Sequence, residues 1–297
     1  MKNSKKGIVL VATVGLILLL SMLILANIDI SQKHIQKATS SSVNAQLNRA
    51  FIDVLEIIQN NQNEIKDATS FSSFVNTSYF IGSNDENYNV IVSISPASGV
   101  ININNILTSE NQTNREIYDF LYRVLSEYQV KDPTLFLAIV LDAIDKDSDA
   151  RVYGSEIYYD DSRFSASSNI TGQSFSFLLD YYVKKSYDAN IYKIPWGDFI
   201  GFYGDKIDFN YIKEPFLNIL KKEFGLLHLE NVDIVDSYEK LNIREDIKRE
   251  LEKLGIGFFV PVIFCEIAIF YQNSEKSIKF LYDMKTKKVG YVQNIFW

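Results

Sequence analysis

The chain has 297 residues, and 30 basic residues against 37 acidic ones give it a formal net charge of −7. This acidic balance disfavours nucleic-acid binding, because such binding depends on a basic surface that displaces counterions. The single cysteine, Cys265, excludes an intrachain disulfide, and two histidines are too few for a histidine-rich zinc or catalytic site.

The first element is a continuous apolar run from Gly7 to Ala26, which contains no charged residue and follows three lysines. A helix needs about 20 apolar residues to cross a bilayer, so residues 8–27 are predicted to be a transmembrane segment. Lysines before the run, and none directly after it, predict a cytoplasmic N-terminus. The rest of the chain should then lie beyond the membrane, in the periplasm if the cell has two membranes.

Three interpretations of this run are open. A secretory signal peptide has a shorter apolar core and a small-x-small cleavage site, for which Ile24–Ala26 is a poor match. A plain single-pass anchor is the second interpretation. The third is a pilin-type leader, in which a short basic segment ends in a glycine, here Gly7, and an apolar helix follows at once.

The chain after the run favours one long helix over residues 8–66. No Gly or Pro interrupts it between Leu16 and Ile81, and such a helix would be roughly 85 Å long at about 1.5 Å per residue. Apolar residues recur at helical spacing in its upper half: Val43, Leu47, Ala50, Phe51, Val54, Leu55 and Ile58. A break at the serines of Ser40–Ser42, with a separate helix after it, is the alternative.

The middle of the chain begins with strands and continues with helices. Thr69–Asn87 is predicted to be irregular, and Asn89–Ile94 and Val100–Ile106 are predicted to form a hairpin around the turn at Pro96–Gly99. Amphipathic or capped patterns then predict a block of helices: Glu116–Tyr128, Leu135–Ile144, Ser174–Tyr187 and Glu214–Phe224.

The C-terminal part returns to strands. A charged amphipathic helix is predicted over Ile243–Leu254, and β-branched and aromatic runs then predict three strands: Phe258–Tyr271, Ser277–Tyr282 and Val289–Trp297. Strands on both sides of a helical block indicate a helical domain inserted into one antiparallel sheet.

An acidic loop after the second helix of the block has the spacing of a calcium site. Asp145, Asp147, Asp149 and Glu156 fall at positions 1, 3, 5 and 12 of an EF-hand-like loop, and Arg151 would supply a backbone carbonyl at position 7. Position 6, normally glycine, is Ala150, which departs from the standard loop. A solvated acidic turn is the alternative, and no catalytic residue is predicted anywhere in the chain.

Three motifs resemble the K-type minor pseudopilin of type II secretion, the general secretion pathway protein K family. The first is the leader that ends at Gly7, and the second is the stretch Ser98–Asn104, which is similar to that family's Gly-x-apolar-Asn-Leu-Asn strand. The third is Leu141–Arg151 with Gly154 and Glu156, which is similar to the family's Leu-Asp-Trp-Ile-Asp-Ala-Asp run ending in Gly-Ala-Glu.

The resemblance implies an α+β, pilin-like fold, in which a long N-terminal transmembrane helix packs on an antiparallel sheet that carries an inserted, mainly helical domain. The expected divisions are a leader over 1–7, the long helix over 8–66, the pilin domain over 67–115 and 226–297, and the inserted domain over 116–225.

The resemblance also implies processing at the N-terminus. The leader would be cut after Gly7, and the new terminus at Ile8 would be methylated. The fifth mature residue is Ala12, where ordinary pilins carry glutamate. A carboxylate in a bilayer costs about 2.5–3.5 kcal/mol unless it is paired, and a tip subunit has no neighbour above it to provide the pair. Ala12 is therefore consistent with a place at the tip.

The function that the resemblance implies is a non-enzymatic minor pseudopilin at the tip of a secretion pseudopilus, held in the inner membrane. Its partners would be other minor pseudopilins and the major pseudopilin through the N-terminal helix, the prepilin peptidase, and secreted cargo or the secretin. Calcium is the one cofactor expected. Two alternatives are a minor pilin of a type IV or DNA-uptake pilus, and an anchored periplasmic binding module that never polymerises.

Overall fold

The structure is a computed structural model that describes residues 41–75, 79–82, 88–145, 147–157, 169–226, 229, 233–271 and 274–296. The apolar run, the leader and Ala12 therefore lie outside the described residues. Within those ranges, no helix is both long enough and apolar enough to cross a membrane.

A helix over residues 41–61 (α1) lies across a five-stranded antiparallel sheet. The strand order is β1 (Tyr79–Gly82), β2 (Tyr88–Pro96), β7 (Val262–Tyr271), β8 (Ser274–Asp283) and β9 (Lys288–Phe296). Every neighbouring pair in this sheet is antiparallel. The central pairing joins β2 to β7, two strands that are more than 160 residues apart in the chain.

The first hydrophobic core lies between α1 and this sheet. The helix contributes the buried side chains of Val43, Leu47, Val54 and Ile58 at the spacing that the sequence predicted, so the predicted apolar face of this helix is confirmed. A short helix, α2 (Ala68–Val75), closes one end. The sheet contributes alternating residues of β2, β7 and β8: Val90, Val92, Ile94, Ile263, Cys265, Ile267, Ile269, Ile278, Phe280 and Tyr282.

A second, larger core is formed by the helical body inserted between β2 and β7. Its helices are α3 (Arg115–Glu127), α4 (Pro133–Ile144), α5 (Gly172–Ser186), α6 (Glu214–Phe224) and α7 (Glu245–Lys253). Two short parallel pairs connect its loops, β3 (Ile101–Asn102) with β4 (Ile200–Gly201) and β5 (Ile207–Asp208) with β6 (Ile256–Gly257).

Local capping explains where these helices begin and end. The Asn114 and Asp132 side chains accept hydrogen bonds from the first turns of α3 and α4, and Thr171 and Ser174 form a capping box at the start of α5. Gly225, at φ 66°, ends α6 in the left-handed conformation that glycine adopts without steric cost.

The predicted fold class is confirmed in its coarse form: helices combine with one antiparallel sheet, and the helical body is inserted in the sequence between the paired strands β2 and β7. The second core draws on residues from Ile101 to Ile256, so the helical body extends beyond the predicted limits of 116–225 at both ends. In particular, α7 packs in the second core through Ile247 and Leu251 and not in the core under the five-stranded sheet.

Two predictions of local structure are wrong. Val100–Ile106 does not form a hairpin with β2, because β2 pairs with β1 and β7, and only Ile101–Asn102 is a strand, parallel to β4. The Asn102 side chain caps a 3-10 turn over Ile103–Ile106 and so ends the strand. Thr69–Asn87 is not wholly irregular, since it contains most of α2 and all of β1.

Candidate functional site

The acidic loop starts where α4 ends. Nine of the twelve residues of this helix are buried, so α4, which is apolar nearly all round, is a central helix of the second core. The helix stops at Asp145, which has extended backbone angles (φ −70°, ψ 176°) and whose N–H donates to Leu141 O at 3.0 Å. The two carboxylates at the C-terminal end of α4, those of Asp142 and Asp145, are therefore buried.

Two of these carboxylates, Asp142 and Asp145, have fully buried side chains, and Arg151 bridges them. One guanidinium nitrogen, Nη1, lies 2.5 Å from Asp142 Oδ1 and also donates to Asp145 Oδ2. The Arg151 side chain is 28% exposed, so it closes the cluster from the solvent side. Removing one partner of a buried ion pair costs about 3–5 kcal/mol, because the other charge is left unpaired.

Backbone and hydroxyl groups of the loop complete the cluster around Asp142. The Arg151 N–H donates to Asp142 Oδ2 at 3.2 Å, and Ser155 Oγ lies 2.5 Å from the same oxygen. Ser155 Oγ also accepts a hydrogen bond from the Val152 N–H at 3.0 Å. The chain from Arg151 to Ser155 is therefore folded onto the end of α4 by contacts with one carboxylate.

The cluster holds two carboxylates and one guanidinium. Burial raises the pKa of Asp145, and the hydrogen bond and the charge of Arg151 offset that effect only in part. Burial alone would lower the pKa of Arg151, but its contacts with Asp142 and Asp145 raise it overall. Asp145 Oδ1 is buried and has no hydrogen-bond partner, so the cluster keeps one unused acceptor.

The other predicted calcium ligands lie elsewhere. Asp147 and Asp149 are exposed, and Asp147 Oδ1 accepts a hydrogen bond from the Asp149 N–H at 3.0 Å. Glu156 is buried, and its backbone carbonyl accepts from Tyr181 of α5 at 3.2 Å. Within the described ranges, no three acidic, histidine or cysteine side chains are arranged so that they could hold a metal ion.

As placed, this donor set does not fit calcium. Calcium takes 6–8 oxygen ligands around one point, whereas here a guanidinium occupies the first predicted ligand, Asp145, and two others face solvent. Calcium binding by these residues stays a prediction.

Sequence reasoning missed Asp142. It is the one charged residue between Pro133 and Ile144, and it lies three residues before Asp145, which places both carboxylates on one helix face. A lone carboxylate in an otherwise apolar helix is the signal that could have revealed it, since such a group needs a buried partner.

The second motif, Ser98–Asn104, forms the passage from the sheet into the helical body. A Cβ on Gly99 would lie 2.1 Å from the backbone oxygen of Tyr211, so only glycine fits this close approach. The buried Ser98 donates from Oγ to Val260 O at 3.1 Å, and its carbonyl accepts from the Asp208 N–H at 2.6 Å. The motif thus joins the outgoing chain to the returning one.

Asn104 holds two loops of the helical body together. Its Nδ2 donates to Ile170 O at 3.0 Å and to Phe202 O at 3.4 Å, and its Oδ1 accepts from the Ile170 N–H at 2.6 Å. Asn104 therefore satisfies backbone groups of other segments, which is a structural role.

The face of α1 turned away from the sheet carries apolar side chains. Ile52 is 62% exposed and Ile57 is 41% exposed, while the four core residues of the same helix are buried. The two predicted processing residues, Gly7 and Ile8, lie outside the described residues. Cys265 is buried in the sheet core, and burial raises the pKa of its thiol to about 12, in line with an inert thiol.

No protein-family model matches the chain, and no curated protein matches its sequence. Among solved structures, a chain of the GspK-GspI-GspJ complex from the type 2 secretion system of enterotoxigenic Escherichia coli is similar to it, with a TM-score of 0.63 and 15% sequence identity. The likeness covers 89% of this chain and 98% of that chain. This chain therefore shares its fold with that chain.

The resemblance to K-type minor pseudopilins is thus confirmed as a likeness of fold. The uncovered 11% of this chain is smaller than the part spanned by the second core, Ile101–Ile256, so the shared fold includes at least part of the helical body.

Proposed function

We propose that this protein is a non-enzymatic minor pseudopilin at the tip of a type II secretion pseudopilus, where it takes part in pseudopilus initiation and protein export. The observation that carries the proposal is the likeness to a chain of the GspK-GspI-GspJ complex, which extends over nearly all of both chains. A large helical body set on a pilin sheet would add bulk above the sheet, and such bulk suits a subunit with nothing stacked above it.

Other minor pseudopilins and the major pseudopilin are the proposed partners, through the N-terminal helix. The exposed Ile52 and Ile57 support this, because a helix that packs among neighbours needs apolar residues on its outer face as well as toward its own sheet. Secreted cargo or the secretin would contact the helical body.

The proposed location is the inner membrane, with residues 8–27 spanning it once, the N-terminus in the cytoplasm and the folded part in the periplasm. The apolar run and its preceding lysines support this orientation. The prepilin peptidase would cleave after Gly7, and Ile8 would then be methylated.

Mass spectrometry of the mature N-terminus tests the proposal. The protein isolated from a host with prepilin peptidase should begin with methylated Ile8, and a Gly7→Val variant should keep Met1 and its leader. Gly15→Ala is the matched control: it removes a glycine inside the apolar run and should leave processing unchanged. An intact Met1 in the unsubstituted protein would refute pilin-type processing and favour the anchored binding module.

A minor pilin of a type IV or DNA-uptake pilus is the second candidate, since such a subunit would be processed in the same way. The genes that neighbour this one separate the two: secretion genes support the first proposal, and pilus or competence genes support the second.

The calcium site that the sequence predicts, with Asp145, Asp147, Asp149, Glu156 and the Arg151 carbonyl as ligands, would require a rearranged loop. Asp145 cannot serve the ion and the Arg151 guanidinium at once, so the two cations compete for one carboxylate.

A further inference from the structure

The acidic loop already contains a cation. Two carboxylates, on Asp142 and Asp145, are wholly removed from solvent, and among the described residues the positive group in contact with them is the Arg151 guanidinium. Unpaired buried carboxylates are very unfavourable, so the fold of this loop needs a positive charge at this point. A divalent ion could supply that charge in principle, but here the chain supplies it.

The position of Arg151 reinforces this. It occupies position 7 of the loop, where a calcium-binding loop contributes only its backbone carbonyl. Here its N–H and its side chain both bind Asp142, while its side chain reaches Asp145. The Arg151 side chain thus bonds to Asp145, the first acidic residue of the loop, which in a calcium-binding loop would be a ligand of the ion.

We propose that Arg151 is the built-in cation of this loop, so that the helical body folds without calcium. The proposal does not depend on assembly into a pseudopilus. Asp145 Oδ1, buried and without a hydrogen-bond partner, gives a corollary. Once the guanidinium is removed, Asp145 and Asp142 form a pocket of carboxylate oxygens that accepts a divalent ion.

Thermal unfolding of the full chain in detergent tests both statements, with either EDTA or millimolar calcium chloride. The unsubstituted protein should unfold at the same temperature in both. Arg151→Gln should unfold at a temperature roughly 5–15 °C lower in EDTA, because a buried pair is broken. Calcium should recover a clear part of this loss, because an ion that binds only the folded state stabilises it.

Two further variants control for general effects. Arg244→Gln removes an arginine whose ion pair with Asp246 is on the surface, where the two side chains are 73% and 68% exposed. It should change neither the unfolding temperature nor the response to calcium. Arg151→Gln combined with Asp145→Asn should lose the recovery by calcium, because the proposed ligand is gone.

The outcomes are distinct. A rise of several degrees on adding calcium to the unsubstituted protein, abolished by Asp145→Asn alone, would overturn the proposal and support the calcium prediction. If Arg151→Gln unfolds at the same temperature in EDTA and in calcium chloride, the corollary is overturned. If Arg151→Gln is recovered folded only in the presence of calcium, the proposal is supported; if it is recovered in neither condition, the response of the unsubstituted protein and of Asp145→Asn still decides.

Discussion

A few residues decide how the chain passes between its two cores. Gly99 lies against the backbone of Tyr211, and Ser98 bonds to segments on both sides of the passage. Both contacts involve backbone atoms of another segment, so they require a close fit of the backbone and do not arise from apolar burial. Substitutions here should therefore be more harmful than substitutions at similar residues that have space around them.

Gly99→Ala should lower the free energy of unfolding by about 1–3 kcal/mol or more, because the added Cβ would overlap the Tyr211 carbonyl oxygen. Gly197→Ala is the matched control, since a Cβ there meets nothing within 4 Å, and its effect should stay within about 0.5 kcal/mol. Urea unfolding of the two variants compares them directly. Equal losses would show that the close approach at Gly99 is not as tight as the structure gives it.

At the scale of elements, α1 shows how one helix serves two purposes. Its buried stripe, Val43, Leu47, Val54 and Ile58, fills the space over β2, β7 and β8, and each fully buried aliphatic side chain contributes about 1.5–3 kcal/mol by leaving water. Its other face leaves Ile52 exposed. Isoleucine thus occurs on both faces of α1, buried at Ile58 and exposed to solvent at Ile52.

Ile58→Ala should destabilise the protein by about 2–5 kcal/mol, since this side chain is wholly buried and its loss leaves a cavity. Ile52→Ala makes the same chemical change at a position that is 62% exposed, and should alter stability by no more than about 0.5 kcal/mol. Circular dichroism during thermal unfolding measures both. A large loss from Ile52→Ala would contradict the assignment of the outer face.

At the scale of the whole molecule, two cores are joined where the chain leaves β2 and returns to β7. Asp208 lies at this junction with no exposed surface. Its carboxylate accepts from the Val260 N–H at 2.8 Å and from the Asn210 N–H and Nδ2, each at 3.0 Å. Burial raises the pKa of Asp208, and these hydrogen bonds offset the rise only in part.

The raised pKa fixes the sign of a pH effect. Because the folded pKa lies above the unfolded one, protonation of Asp208 favours folding at low pH, and that contribution is lost as pH rises through the folded pKa. Asp208→Asn does not titrate and places an N–H group where an acceptor is needed. Its stability should therefore lie below that of the unsubstituted protein.

The difference in unfolding free energy between the two proteins should narrow as pH rises from about 4 to about 7. Urea unfolding at a series of pH values measures this difference. Widening with rising pH would mean that the hydrogen bonds outweigh burial and that the pKa is lowered.

The sequence determined the features that depend on neighbouring residues alone. Helical periodicity revealed the buried stripe of α1, and caps such as Asp132 and Gly225 marked the ends of helices in the second core. The spacing of acidic residues after α4 identified the loop. The capping pair of Asp67, just before α2, and Ser70, in its first turn, was also present in the sequence and could have revealed that helix.

Only the tertiary structure decided which distant segments meet. The pairing of β2 with β7, the contact of Gly99 with Tyr211, and the bridge from Arg151 to Asp142 and Asp145 each join parts of the chain through space. Periodicity and capping are set by residues within a few positions of each other, and they carry no information about such contacts. The sequence therefore identified an acidic loop, and the folded chain showed that two carboxylates there are buried and that Arg151 supplies a positive charge to them.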